Sequence, residues 1–230
     1  MLLERLREEV LEANLSLVEK GLVVETFGNA SGIDRDAGMI VIKPSGVPYN
    51  RMKPSDLVVA DLNGSVIEGT MRPSSDLPTH AVLYQKFPLI GGVAHTHSRY
   101  ATAWAQARRD IPCYGTTHAD YFYGAIPVTD NMTDAEIDGE YEWNTGLVIA
   151  RRFVEIDPLS MRGVLVAGHA PFCWGRSATD AAHYAFHLEE VARLAFLTVT
   201  IEKTSESISD ALRDKHFLRK HGPNRYYGQK

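Results

Sequence analysis

Gly91-Gly92-Val93-Ala94-His95-Thr96-His97-Ser98 reads as a short apolar strand that ends in two histidines one residue apart. Alternate side chains of a strand share a face, so His95 and His97 project side by side, about 6 to 7 Å apart at Cα from the strand rise. Both imidazoles then reach a single divalent cation, and zinc suits such a pair. The competing reading is two ordinary surface or core histidines. A third ligand is what separates the two.

Segments on both sides of this strand, at 78–87 and 99–107, read as helices. Pro78 fits a first helical turn. Farther out, strand-like runs at 40–42, 58–61, 66–68 and 163–167 alternate with helix-like runs at 134–153, 179–203 and 206–220, and the opening motif supplies a strand over 92–97. Thr133 and Glu136 form a capping box for the 134–153 helix. Asn63-Gly64 is a hairpin turn, which makes the sheet at least partly antiparallel. Leu3, Leu6, Val10, Ala13 and Leu17 keep helical spacing from the first residues onward, and Gly21 is placed to stop that helix. No internal repeat or low-complexity linker interrupts the alternation. The expected class is α/β, in one domain spanning residues 1–230.

Composition narrows the function. At 230 residues and 44% hydrophobic content the chain buries a full core. Its net charge of −5 and pI near 6.0 come from interspersed charges, with no basic stripe to neutralise a phosphate backbone. Nucleic acid is therefore excluded as an expected partner, and a small polar substrate fits better. Cys113 and Cys173 have neither metal-ligand spacing nor a disulfide framework. There is no signal-peptide pattern and no apolar run of membrane-spanning length, so the expected setting is a reducing cytoplasm with no targeting segment before the fold.

A third imidazole is available where Val164-Leu165-Val166-Ala167 runs into Gly168-His169-Ala170-Pro171, because glycine and proline mark a turn that presents His169. Strand ends are where α/β sites form. Asp76, just before the 78–87 helix, offers a carboxylate to the same centre. A rival set is His183, His187 and Glu190, at helical spacings of four and three, whose plain alternative is a helix face packed on a neighbour. Ser74 and Ser75 sit at a helix N-terminus, where unsatisfied N–H groups and the macrodipole favour an anion such as phosphate; ordinary capping is the alternative. Gly28-Asn29-Ala30-Ser31-Gly32 and Lys43-Pro44-Ser45-Gly46-Val47 read as loops of similar character, the second with a charge. Together the three loops suggest a phosphorylated substrate.

Several stretches resemble the metal-dependent class II aldolase and epimerase family. They are Leu11-Glu12-Ala13-Asn14-Leu15, Ile42-Lys43-Pro44-Ser45-Gly46-Val47, Pro73-Ser74-Ser75-Asp76, His95-Thr96-His97-Ser98-Arg99, Gly115-Thr116-Thr117-His118-Ala119-Asp120-Tyr121-Phe122-Tyr123-Gly124 and Tyr226-Tyr227-Gly228-Gln229. The resemblance runs nearly the full length. The Thr116 to Gly124 stretch, with Asp214-Lys215-His216-Phe217-Leu218-Arg219-Lys220-His221-Gly222, is similar to the family's epimerase branch, which acts on pentulose 5-phosphates.

The resemblance implies a single-domain, three-layer αβα fold around a central, largely antiparallel sheet, assembled as a ring-shaped homotetramer. It implies a metal site of His95, His97 and His169 with Asp76 as an additional ligand, holding Zn2+ that Mn2+ or Co2+ can replace. Phosphate is expected at Ser45-Gly46 and Ser74-Ser75, with Gly28, Asn29 and Lys43 touching substrate. Asp120 and Tyr227 are the implied acid/base pair, supported by His216 and Arg219, and the C-terminal segment of one chain is implied to complete its neighbour's site. The expected reaction interconverts L-ribulose 5-phosphate and D-xylulose 5-phosphate at C4 by retro-aldol cleavage and re-addition. A sugar-phosphate aldolase, a dehydratase on the same fold and a non-catalytic metal-dependent sugar-phosphate binding protein are the alternatives.

Overall fold

Seven strands make one antiparallel sheet in a computed structural model that describes residues 1–227. In chain order they are β1 (Asn29–Asp34), β2 (Met39–Ile42), β3 (Val58–Asp61), β4 (Val66–Glu68), β5 (Gly92–His95), β6 (Gly163–Leu165) and β7 (Pro171–Gly175). Their order across the sheet is β4-β3-β2-β1-β5-β7-β6. The helices are α1 (Glu4–Glu19), α2 (Leu77–Lys86), α3 (Arg99–Ala107), α4 (Thr116–Ala119), α5 (Asp134–Asp138), α6 (Tyr141–Arg152), α7 (Ala178–Ile201) and α8 (Asp210–His221). None of the described helices is long and apolar enough to cross a membrane.

The three layers follow from strand alternation. On β1, Asn29 and Ser31 face α2, where they meet Asp76 and His80. Gly32 faces the other way, and a Cβ there would meet Leu6 and Val10 of α1 and Ala178 of α7. On β7, Phe172 and Trp174 pack towards α2 and α6 through His80, Phe87 and Phe153. The sheet is thus sandwiched between α1 with α7 on one face and α2 with α6 on the other.

The opening Gly91-Gly92 pair now has a physical reason. The start of α7 lies against the edge of β5 so closely that a Cβ at Gly92 would sit 2.2 Å from the Ser177 carbonyl oxygen, and one at Gly91 2.1 Å from that of Arg176. Only glycine admits this backbone approach.

Most expected elements are present within one or two residues, and the departures have local causes. The stretch read as a Gly28 to Gly32 loop is largely strand β1, because its small residues serve close packing of α1 and α7 on the sheet rather than a turn. β7 was not expected; Pro171 occupies its first position, where a missing N–H is tolerated. β5 stops at His95 instead of 97, where the pairing to Asn29 and Phe172 ends, and β6 stops at Leu165 instead of 167, where the turn carrying His169 begins. The expected 134–153 helix is two, α5 and α6, broken at Gly139 and Glu140, although the Thr133–Glu136 capping box is present. α8 starts at Asp210, capped by Ser209, instead of 206.

Replacing Gly92 with Ala should destabilise the protein by about 3 kcal/mol through overpacking, whereas Gly115→Ala, whose added methyl meets nothing within 4 Å, should stay within about 0.5 kcal/mol of wild type. Urea unfolding measures both. Equal midpoints for the two variants would mean that α7 does not press on β5 this tightly.

Candidate active site

His95 closes β5, His97 follows two residues beyond, and His169 stands on the turn between β6 and β7. Their ring centroids lie 4.9 to 5.0 Å apart, and one nitrogen from each falls within 4.8 Å of the other two. His95 Nδ1 donates to the Pro171 carbonyl at 2.9 Å, which leaves its Nε2 bare in the neutral ring, 3.1 Å from His97 Nε2. Phe172 stacks on His95 at 4.1 Å and holds the ring in place. The His169 Nδ1 is buried with no hydrogen-bond partner. Three converging imidazoles, one with an orphaned buried nitrogen, are the donor set of a divalent cation, so these residues fit the implied metal.

Burial keeps these rings neutral. It pushes His95 down to about 3 and His169 to about 4, and it lowers His97 as well, with the neighbouring imidazoles adding to the first two shifts. The Asp76 carboxylate opposes the shift at His97 and His169. It accepts from Asn29 Nδ2 at 2.6 Å and lines the same cavity, but stands outside the tight triad.

That cavity, about 340 Å³, joins the imidazoles to all three small-residue stretches: Gly28-Asn29 at the start of β1, and the loops of Lys43 with Ser45-Gly46 and of Ser74-Ser75-Asp76. The loops are tied together. Ser74 N–H donates to the Lys43 carbonyl, Ser45 N–H to that of Arg72, and Tyr49 O–H to that of Gly28 at 2.6 Å. Gly28 takes φ +112, and a side chain there would crowd the His95 carbonyl at 3.1 Å. Lys43 is buried, its ammonium 4.7 Å from the Tyr49 ring, and burial lowers its pKa. Thr26, Phe27, Tyr141 and Glu142 complete the lining and were missed from the sequence. The Gly139-Glu140 break, which starts a new helix at Tyr141, was the available signal for the last two.

Asp120, His216, Arg219 and Tyr227 are brought together elsewhere and line no part of this cavity. The Asp120 carboxylate, at the end of α4, accepts from Arg219 at 2.9 and 3.0 Å, from His216 Nδ1 at 3.1 Å, and lies 3.2 Å from Lys220 Nζ. Its carbonyl accepts from His221 at 2.8 Å. Tyr227 N–H donates to the Arg219 carbonyl, and its ring lies under Arg219 and Lys220. Burial works to raise the Asp120 carboxyl, but hydrogen bonds from Arg219, His216 and Lys220 outweigh it and hold the group below the usual carboxylate range. Gly228 and Gln229 of the tail motif lie outside the described residues. In the rival set Tyr121 stacks on His187 at 3.5 Å and Glu190 pairs with Arg193 at 2.7 Å, contacts of the packed helix face that was its plain alternative.

With this geometry in view, the comparisons define the class. Residues 8–196 match the class II aldolase and adducin N-terminal domain family, and the chain belongs to it. It is 54% identical over 228 residues to the L-ribulose-5-phosphate 4-epimerase UlaF of Salmonella paratyphi B and, at the same identity, to that of Salmonella typhi, covering 99% of this chain and 100% of each relative. Among solved structures, an L-fuculose 1-phosphate aldolase superposes with a TM-score of 0.78 at 26% identity, over 92% of this chain and 94% of that one.

The depressed imidazoles make acid sensitivity a test of the site. Below the ordinary histidine value of 6.5 the unfolded chain takes up protons that the folded chain refuses until about 3 to 4, so the metal-free protein should lose stability as pH falls through that window. For His95 alone the loss between pH 7 and 5 is up to about 2 kcal/mol. The urea midpoint of metal-free His95→Asn should therefore fall less steeply over this range than that of wild type. Parallel profiles would show that His95 accepts its proton freely in the folded state.

Proposed function

We propose that this chain is a metal-dependent enzyme that interconverts L-ribulose 5-phosphate and D-xylulose 5-phosphate at C4. The observation that carries the reading is the single cavity in which three neutral imidazoles face two loops of phosphate-binding character and the start of β1. Full-length similarity to proteins named as 4-epimerases narrows a chemistry shared with aldolases to that one carbon.

The substrate explains the demand. Its carbonyl is at C2, so proton loss is activated at C3 and not at C4, and inversion at C4 requires the C3–C4 bond to break. Its electrons pass to the C2 carbonyl, giving the enediolate of dihydroxyacetone, while the C4 hydroxyl loses its proton and becomes the aldehyde of glycolaldehyde phosphate. The bound cation, proposed to be Zn2+ with Mn2+ or Co2+ able to replace it, supplies Lewis-acid stabilisation of the charge that cleavage leaves. His95, His97 and His169 hold it, with Asp76 beside them. Ser45, Gly46, Ser74, Ser75 and Lys43 keep the phosphate of the aldehyde fragment while its carbonyl turns to present the other face, and Gly28 and Asn29 close the cavity around it. Re-addition then forms the epimer, and the new C4 oxygen takes up a proton.

Two proton-transfer groups on opposite faces are needed, and Asp120 and Tyr227 are assigned to them. An ionised Asp120 suits removal of the C4 hydroxyl proton in one direction, and the Tyr227 hydroxyl suits delivery of a proton to the C4 oxygen formed on the other face. His216 and Arg219 orient the pair. Since none of the four lines its own chain's metal cavity, they are proposed to complete the cavity of the next subunit in a cytoplasmic, ring-shaped homotetramer.

Incubation of the metal-loaded protein with L-ribulose 5-phosphate should yield D-xylulose 5-phosphate. Free two- and three-carbon fragments as main products would make it an aldolase, a product lighter by one water a dehydratase, and binding without turnover a binding protein.

The shared site makes a separate prediction. Homotetramers of His97→Asn or of Tyr227→Phe should be inactive, each lacking one half of every site. In randomly mixed tetramers of a head-to-tail ring, about a quarter of sites combine an intact metal centre with an intact tail and should recover activity. Purified mixed tetramers with no more activity than either parent would confine Tyr227 to its own chain.

A further inference from the structure

His80 is fully buried on α2, one helical turn beyond Asp76, and its backbone N–H donates to the Asp76 carbonyl at 3.0 Å. It lies behind the active-site cavity and outside its lining. The edge of its ring meets Phe172, the residue that stacks on His95. Its Nδ1 is 2.7 Å from Ser31 Oγ, and that oxygen is 2.8 Å from the Tyr84 hydroxyl.

Proton accounting gives this chain a direction. Burial pushes the Tyr84 phenol well above its ordinary value, so it keeps its proton, and the acceptor in reach is Ser31 Oγ. Ser31 then has one proton of its own to give, to His80 Nδ1. A neutral imidazole whose Nδ1 accepts must carry its proton on Nε2.

That Nε2 is buried without a partner, and so is Asn29 Oδ1. Asn29 and Ser31 are two apart on β1 and share a face, while Asp76 and His80 are four apart along α2 and share one too. The two elements therefore meet in parallel rungs, Asn29 to Asp76 and Ser31 to His80. Beside them stand one orphaned donor, one orphaned acceptor and a carboxylate. One donor and two acceptors are the set that a single buried water would satisfy, accepting from His80 and donating to Asn29 and Asp76.

We infer that His80 is a positioning residue for Asp76: held as the Nε2–H tautomer by Tyr84 and Ser31, it donates to a buried water shared with Asn29 Oδ1 and the Asp76 carboxylate, and so fixes that carboxylate beside the imidazole triad. Its kinetic consequence rests on the proposed epimerisation; its tautomer and its effect on metal affinity do not.

The test is long-range proton–nitrogen NMR on protein labelled with 15N-histidine, with His80 assigned by its loss in His80→Gln. The expected pattern is that of an Nε2–H tautomer, becoming a mixture in Ser31→Ala. Gln places an amide nitrogen near the Nε2 position and Asn near Nδ1. His80→Gln should therefore keep zinc affinity within about threefold of wild type, while His80→Asn loses about tenfold or more and lowers kcat at unchanged KM. An Nδ1–H tautomer in wild type overturns the inference. So do equal losses in the Gln and Asn variants that track their melting temperatures, which would make the residue merely structural. Failure of wild type to epimerise would refute the proposed reaction, and the tautomer and zinc affinities would still decide the role of His80.

Discussion

The pairing of β5 with β1 on one side and β7 on the other is the constraint from which the rest of the site follows. Asn29, His95 and Phe172 stand abreast across three strands. In that row Asn29 holds Asp76, His95 supplies the central imidazole and Phe172 stacks beneath it. A one-residue slip in any of these strands would turn its side chains to the α7 face and dismantle the row. The register is pinned from outside by the close approach of α7 to Gly91 and Gly92, and at the strand's end by the Pro171 carbonyl that fixes the His95 tautomer.

The two polar clusters solve opposite electrostatic problems. At the triad, desolvation removes charge from the imidazoles and leaves lone pairs directed at one another, an arrangement favourable to a cation and to little else. At Asp120 a partly buried carboxylate stays charged because Arg219, His216 and Lys220 surround it. These contacts also fasten α8 to α4, so the group assigned to proton transfer anchors the C-terminal helix as well. Such coupling between anchoring and reactivity is what the proposed shared site asks of the segment that carries Tyr227.

What the sequence disclosed and what it hid divide along a physical line. His95, His97 and His169 were readable because each ends an apolar run, and strand ends are local features. The Ser45-Gly46 and Ser74-Ser75 loops that line the cavity were readable for the same reason, through glycine and serine. β1 was not, since Asn29-Ala30-Ser31-Gly32 has turn composition and its strand character comes from burial between α1, α7 and α2, a tertiary effect. Asp120 and Tyr227 carry no local signal at all; only resemblance to a family singled them out, and the structure gathers them with His216 and Arg219 across almost a hundred residues of chain. His80 looked like any helix residue, because its meaning lies in the unpaired nitrogen that packing leaves behind.

Holding several histidines neutral in the interior has a thermodynamic consequence for the whole fold. Each lowered imidazole makes the metal-free protein less stable as the medium acidifies, and a cation that binds the folded chain alone returns stability in proportion to the logarithm of its concentration over its dissociation constant. At about a thousandfold excess over that constant the gain is about 4 kcal/mol, enough to offset two such histidines at pH 5. The same burial that readies the nitrogens for a metal therefore makes the fold depend on one under acid conditions. His95 belongs to both the triad and the paired row of β1, β5 and β7, so the burial that sets its protonation is the burial that the sheet register provides.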